Sequence, residues 1–261
     1  MTPASSGYRD RNSTADRALT ILGMFSENKV HLTAGEVAET LDCASSTAYR
    51  YLQTLVSTSF LEEAPGGGFR LGFRVMELAR LARRSYPLAE LALPVMRRLA
   101  EEVGETVLLT RRVDDAVVCV DRCEGVGQLI RLSYERGSRL PINAGASALV
   151  LLAWLPEQQQ RELLARQPLE QFTNNTLVEV GALVRRLRKI RADGFSVTVA
   201  EVDPDATGIA APVFDDADSV TAALSVVGMR RRMPRDRIND VVAAVRSAAQ
   251  QLSGEVAIVG S

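Results

Sequence analysis

The chain has 261 residues, 46% hydrophobic and 24% charged, which is enough apolar material for a large buried core and room for two domains. Its 31 Lys/Arg against 32 Asp/Glu leave a formal net charge of −1, which argues against a polybasic, sequence-indifferent nucleic-acid binder. No apolar run approaches the ~20 residues that cross a bilayer, and Met1 to Asn12 is polar without the apolar centre of a signal peptide, so a soluble cytoplasmic protein is expected.

In chain order, the first strong signal is Thr33-Ala34-Gly35-Glu36, an N-cap threonine three residues before a glutamate, the pattern of a capping box at a helix start. Val37, Ala38 and Leu41 follow at helical spacing until Asp42-Cys43-Ala44 interrupts them. A second N-cap is expected at Ser45, and Ala48, Tyr51, Leu52 and Leu55 give the next helix one apolar stripe. Its other face carries Ser46, Thr47, Tyr49, Arg50 and Gln53. Phe60-Leu61-Glu62-Glu63 and Phe69-Arg70-Leu71 then flank Ala64-Pro65-Gly66-Gly67-Gly68, two short strands around a flexible turn. Two short helices followed by a hairpin describe a winged helix-turn-helix, which places its second helix in the DNA major groove.

The chemistry of that helix agrees. Between Cys43 and Leu61 there is no carboxylate, as a surface laid against phosphates requires. Ser45, Ser46 and Thr47 stand at a helix N-terminus, where N–H groups and the dipole favour a phosphate. Tyr49, Arg50 and Gln53 are long enough to reach base edges or the sugar-phosphate strand. The DNA-contact candidates are therefore Thr33, Ser45, Ser46, Thr47, Tyr49, Arg50, Gln53 and, on the wing, Arg70. Because the first 84 residues hold ten Lys/Arg against nine Asp/Glu, affinity must come from where cations sit and from pairing two copies.

Phe73 to Arg84 is amphipathic at helical spacing and is closed by Ser85-Tyr86-Pro87; it reads as a linker helix. Leu88 to Val103 is a further helix that Pro94 should kink or break in two. This gives a DNA-binding domain over 1–72, a linker over 73–86 and a second domain over 87–261.

The second domain reads as α+β. Strands are expected at Thr106–Val113, Ala116–Arg122 and Gln128–Ser133, then a loop Gly137–Pro141 and an apolar helix Ala144–Leu155. Helices Gln158–Arg166 and Val178–Ala192, strands Phe195–Glu201, Gly208–Phe214 and Thr221–Val227, and a closing helix Arg235–Glu255 complete it. Hairpins outnumber βαβ alternations, so the sheet should be mainly antiparallel with helices packed on it. Cys43, Cys119 and Cys123 are an odd set suited to a reducing compartment. The last two read as small hydrophobes, and the lone His31 is expected exposed. With no GxGxxG or P-loop no cofactor is expected, and because Cys119 and Cys123 lack further ligands while His31 lies in the N-terminal module, no metal is expected either. A rival reading makes the second domain an enzyme with Glu201, Asp203 or Asp205 as acid or base, although Asp203-Pro204-Asp205 has the composition of a turn.

The order of motifs resembles the isocitrate-lyase-regulator (IclR) family of bacterial transcriptional regulators over nearly the whole chain. The resemblance is carried by Arg17-Ala18-Leu19-Thr20-Ile21-Leu22, Ser46-Thr47-Ala48-Tyr49-Arg50-Tyr51-Leu52 and Gly68-Phe69-Arg70-Leu71-Gly72. Farther on it rests on Gly137-Ser138-Arg139-Leu140-Pro141, Gly208-Ile209-Ala210-Ala211-Pro212-Val213-Phe214-Asp215 and Ala223-Leu224-Ser225-Val226. It implies a winged helix-turn-helix, a linker helix and a GAF/PAS-like antiparallel-sheet effector domain. It also implies a homodimer or dimer of dimers on a palindromic double-stranded operator, as repressor or activator. An organic or aromatic acid would occupy a cup whose matching positions are Leu129, Leu132, Ala146, Ser147, Thr198, Ala206, Gly208, Ser225 and Val227. Members that take two- or three-carbon oxo acids carry Asp, Cys and Ser where Thr198, Gly208 and Val227 stand here, so a larger or more apolar effector is expected.

Overall fold

The apolar stripe Ala48, Leu52 and Leu55 is fully turned inward and organises the N-terminal part of the chain. The structure, a computed structural model, describes residues 13–26, 29–84, 87–125, 134–166 and 168–260, in two units, Met1–Ser85 and Tyr86–Ser261. The first holds helices α1 (Ser13–Gly23), α2 (Ala34–Thr40) and α3 (Ser45–Ser57), strands β1 (Leu61–Glu63) and β2 (Phe69–Leu71), and helix α4 (Phe73–Arg84). Ile21, Leu32, Val37, Leu52 and Leu61 are wholly buried in one cluster that ties α1, α2, α3 and β1 together.

The capping box opens α2 as read: Thr33 Oγ1 accepts from Glu36 N (3.3 Å) and Thr33 N donates to Glu36 Oε2 (2.7 Å). At α3 the expectation is corrected. The N-cap is Ala44, in extended backbone and without a side-chain cap; its carbonyl accepts from Thr47 N and Ala48 N. Ser45 is therefore the first helical residue, because the chain turns one residue earlier than the side-chain preference suggests. The wing pairs β1 with β2 antiparallel, and Leu32 exchanges backbone bonds with Phe69 in both directions, at 2.9 and 2.7 Å. Gly68 is required there: its φ is +79°, and a Cβ would stand 2.7 Å from the Leu32 carbonyl oxygen.

The second unit begins with α5 (Pro87–Val103), which runs unbroken through Pro94. The lost N–H is offset by burial of Ala92, Val95, Met96 and Leu99 in the core. Then follow β3 (Thr106–Val113), β4 (Ala116–Cys123), β5 (Arg139–Leu140), α6 (Ala146–Ala153), α7 (Glu157–Ala165), α8 (Val180–Asp193), β6 (Ser196–Val199), β7 (Ala206–Phe214), β8 (Val220–Met229) and α9 (Arg235–Gly260). The expected loop Gly137–Pro141 thus contains the two-residue strand β5, which pairs with β4. The expected strand Gln128–Ser133 lies outside the described residues.

The sheet order is β5-β4-β3-β8-β7-β6, antiparallel at every pairing. Side chains alternate between faces. Val107, Leu109, Ile209, Ala211, Leu224 and Val226 pack beneath α5 and α9. Ala210 and Ala223, one residue out of phase, face α6 and α8. The second face also receives Leu108, Thr198, Gly208, Ser225 and Val227, since Leu108 and Ala210 stand opposite Ser225, and Thr198 and Val227 opposite Gly208.

Candidate functional site

Two surfaces answer to the sequence. On α3, Ser45, Ser46, Tyr49 and Arg50 are exposed, while Thr47 and Gln53 are partly covered. The first turn has no acidic residue, and Arg50 has no carboxylate partner among the described residues. The Tyr49 ring meets Phe69 of the wing edge-on, at 6.3 Å and 70°, which fixes its orientation. Three other candidates are already engaged. Gln53 Nε2 donates to Glu63 Oε1 (3.2 Å), Arg70 Nη2 pairs with Glu62 Oε2 (3.0 Å), and Thr33 closes its own capping box. The Gln53–Glu63 bond sets the wing against α3, while the Arg70–Glu62 pair joins the two wing strands and balances the Arg70 charge.

The other surface is a cavity of ≈ 350 Å³ between the sheet and the N-terminus of α6. Ala146, Ser147, Thr198, Ala206, Gly208, Ser225 and Val227 all line it; Leu129 and Leu132 lie outside the described residues. Ser147 Oγ donates to Ser225 Oγ (2.8 Å), both buried, and Ser225 Oγ donates onward to the Leu108 carbonyl at 3.5 Å. Helix α6 starts at Gly145 (φ +85°) without a side-chain cap, so the first-turn N–H groups of Ala146 and Ser147 have no acceptor among the described residues. A Cβ added to Gly208 would stand 3.0 Å from Thr198 Oγ1 and 3.4 Å from Ala146 Cβ. The missing side chain is what lets the helix end sit over the strand and still leaves space.

Several lining residues were absent from the sequence reading of the cup: Leu108, Tyr134, Leu140 and Glu201. Leu108 had a signal in its strand parity, and Leu140 in the Gly137–Pro141 motif. Glu201 enters from the sequence only as a candidate acid or base. Its buried carboxylate pairs with Arg186, whose Nη2 also donates to the Val197 carbonyl (2.9 Å), and Gly145 N donates to Glu201 Oε2 at 3.4 Å. Burial pushes the Glu201 carboxyl above its ordinary range, against the downward pull of Arg186.

The loop that carries Glu201 is held from behind. Thr173 Oγ1 donates to the Ala200 carbonyl and Thr176 Oγ1 to the Glu201 carbonyl, both at 2.6 Å. Asn175 Nδ2 reaches the Val199 carbonyl at 3.2 Å. Asn143, just before α6, donates to the carbonyls of Glu170 and Leu177, each at 3.0 Å. One strap, residues 170–177, therefore pins both loops that border the cavity, and it maintains Ala200 at φ +55°.

A winged helix-turn-helix joined to an α+β domain with a cavity at a helix N-terminus defines a DNA-binding regulator with a small-molecule site. Two family models match the chain: "IclR helix-turn-helix domain" over residues 14–65 and "Bacterial transcriptional regulator IclR C-terminal" over residues 81–254. The chain belongs to the IclR family of bacterial transcriptional regulators. It is 35% identical over 239 residues to the HTH-type transcriptional regulator BhcR of Paracoccus denitrificans (strain Pd 1222), covering 91% of this chain and 85% of that one. To the HTH-type transcriptional regulator KipR of Bacillus subtilis (strain 168) it is 27% identical over 248 residues, 95% of this chain and 98% of that one. Among solved structures, an IclR homolog complexed with 4-hydroxybenzoate from Microbacterium hydrocarbonoxydans superposes with a TM-score of 0.79 at 28% identity, covering 93% of this chain and 98% of that one. The protein is accordingly a DNA-binding transcriptional regulator, and the catalytic reading of its carboxylates is set aside. No helix among the described residues is long and apolar enough to cross a membrane.

Proposed function

We propose that this regulator binds a palindromic operator as a homodimer or dimer of dimers in the cytoplasm, and that an aromatic or other larger organic acid in the C-terminal cavity controls it. The observation that carries the proposal is the convergence of seven separately numbered positions, from Ala146 to Val227, around one cavity at a helix N-terminus. Gly208 and Val227 make that space roomier and less polar than the Cys and Ser of oxo-acid binders, and the 4-hydroxybenzoate in the Microbacterium homolog supports the same ligand class. DNA contact falls to α3 through Ser45, Ser46, Thr47, Tyr49, Arg50 and Gln53, with Thr33 and Arg70 flanking it. Residues 73–86 act as linker. Exposed Phe73, Met76, Leu78 and Leu81 on α4 give a second copy an apolar strip to cover.

An effector moves the operator equilibrium only through unequal affinity for the DNA-competent and incompetent states. A thermal-shift screen of small acids, followed by gel shifts on the protein's own promoter, tests the proposal. Aromatic acids should raise the melting temperature most and alter operator affinity. Glyoxylate or pyruvate scoring highest would refute the ligand class.

A further inference from the structure

Acceptors dominate the described wall of the cavity, among them two carboxylates: Asp203, exposed and accepting from Asp205 N (2.8 Å), and Glu201, which is buried. No lysine, arginine or histidine occurs among the described lining residues. Arg186 balances the charge of Glu201 from behind without lining the space. The Glu201 side chain is only 5% exposed; Oε1 faces Arg186, and Oε2 receives one long bond, 3.4 Å, from Gly145 N. The hydroxyls near it direct their protons into the protein: Ser147 to Ser225, Ser225 to the Leu108 carbonyl, and Thr198 to the Gly208 carbonyl. Their oxygens remain as acceptors. Besides the Tyr134 phenol, the donors on this described wall are the backbone N–H groups at the start of α6.

A ligand that offers only acceptors or ring C–H toward Glu201 would bury a carboxylate oxygen with a single weak bond, which is costly. We propose that Glu201 is a specificity-determining residue that accepts a hydrogen bond from an O–H or N–H group on the effector, so that the effector is a hydroxy- or amino-substituted aromatic acid. Its acid oxygens lie on the Ala146 and Ser147 N–H groups, and its donor on Glu201. This rests on the aromatic-acid reading above and narrows it.

The test is isothermal titration of the full-length protein with benzoate, the three hydroxybenzoates and their methyl ethers. At least one hydroxybenzoate should bind about tenfold tighter than both benzoate and its own methyl ether. Glu201→Gln, which keeps an oxygen for Arg186 but can present N–H to the cavity, should shrink that preference to about twofold or less. Benzoate or the ethers binding as tightly as every hydroxybenzoate to the wild-type protein would overturn the donor and leave the aromatic-acid reading standing. An undiminished preference in Glu201→Gln would overturn the role of Glu201. Failure of the whole series to bind would overturn both.

Discussion

Arg50 shows how much a single side chain can be asked to do. It is exposed on α3, without a carboxylate partner among the described residues, and stands one residue beyond a tyrosine held by the wing. Arg50→Ala should weaken operator binding by ~1–3 kcal/mol, the worth of one bidentate base contact; an unchanged gel-shift affinity would remove it from the readers. Gly208 tests the other site. Gly208→Val places methyl groups against Thr198 Oγ1 and Ala146, at a cost of about 1–3 kcal/mol from overpacking. Effector-dependent stabilisation should vanish in thermal shift while the helical circular dichroism stays. Glu36 gives a pH signature. The Thr33 backbone N–H, with Lys29 and the Thr33 hydroxyl, lowers its carboxyl from 4.5 to about 2. Its contribution to folding is therefore complete above pH 4.5 and is lost as pH falls toward 2. Hydrogen exchange of the α2 amides should quicken over that interval in the wild type and change less in Glu36→Gln.

At the scale of elements, the strap at 170–177 decides whether the cavity has a fixed shape. Thr176 Oγ1 accepts from Phe172 N (3.2 Å) and Thr173 N (2.9 Å) and donates to the Glu201 carbonyl. Thr176→Val leaves all three groups without this partner, costing about 1–3 kcal/mol. It should weaken effector binding more than operator binding measured without effector, and Thr176→Ser should restore both. The wing is organised by the same logic of side chains holding backbone. Gln53–Glu63 sets it on α3, Arg70–Glu62 ties its two strands together, and Glu62 Oε1 also accepts from Phe73 N (3.3 Å) at the start of α4. None of these ties follows from periodicity, because each joins residues that are eight or more positions apart in the chain and carry polar atoms with many alternative partners.

For the whole molecule, a homodimer of the kind proposed would read two half-sites on one face of the duplex, so their spacing would be a property of the assembly. Inserting about five base pairs, half a helical turn, between the half-sites should abolish high-affinity binding, and about ten should restore part of it. Analytical ultracentrifugation with and without operator would give the stoichiometry; a strictly monomeric complex would contradict the proposal. Most of the element order was legible beforehand, because buried faces at a period of 3.6 or 2 leave a trace in any single sequence. The capping box at Thr33–Glu36 is a local pattern and was read in full. The N-cap of α3 was misplaced by one residue, since Ser45 has the right chemistry and the backbone chose Ala44. Of the two outcomes expected at Pro94, a kink or a break, the break is absent: tertiary burial keeps α5 continuous.

Local order, then, came from the sequence by itself. The carboxylate-free α3, the glycine-tipped wing, the alternating strands and the family motifs each depend on residues within one or two turns of one another, and short-range sterics and hydrogen bonding act at that distance. What the tertiary structure alone decided is which distant residues share a space. The antiparallel register that sets Leu108 beside Ser225, the seat of α6 over Gly208, and the entry of Glu201 into the cavity wall join positions up to 117 apart. Such contacts are selected by how buried surfaces fit and how polar groups find partners once the chain has closed, and no local pattern encodes that choice.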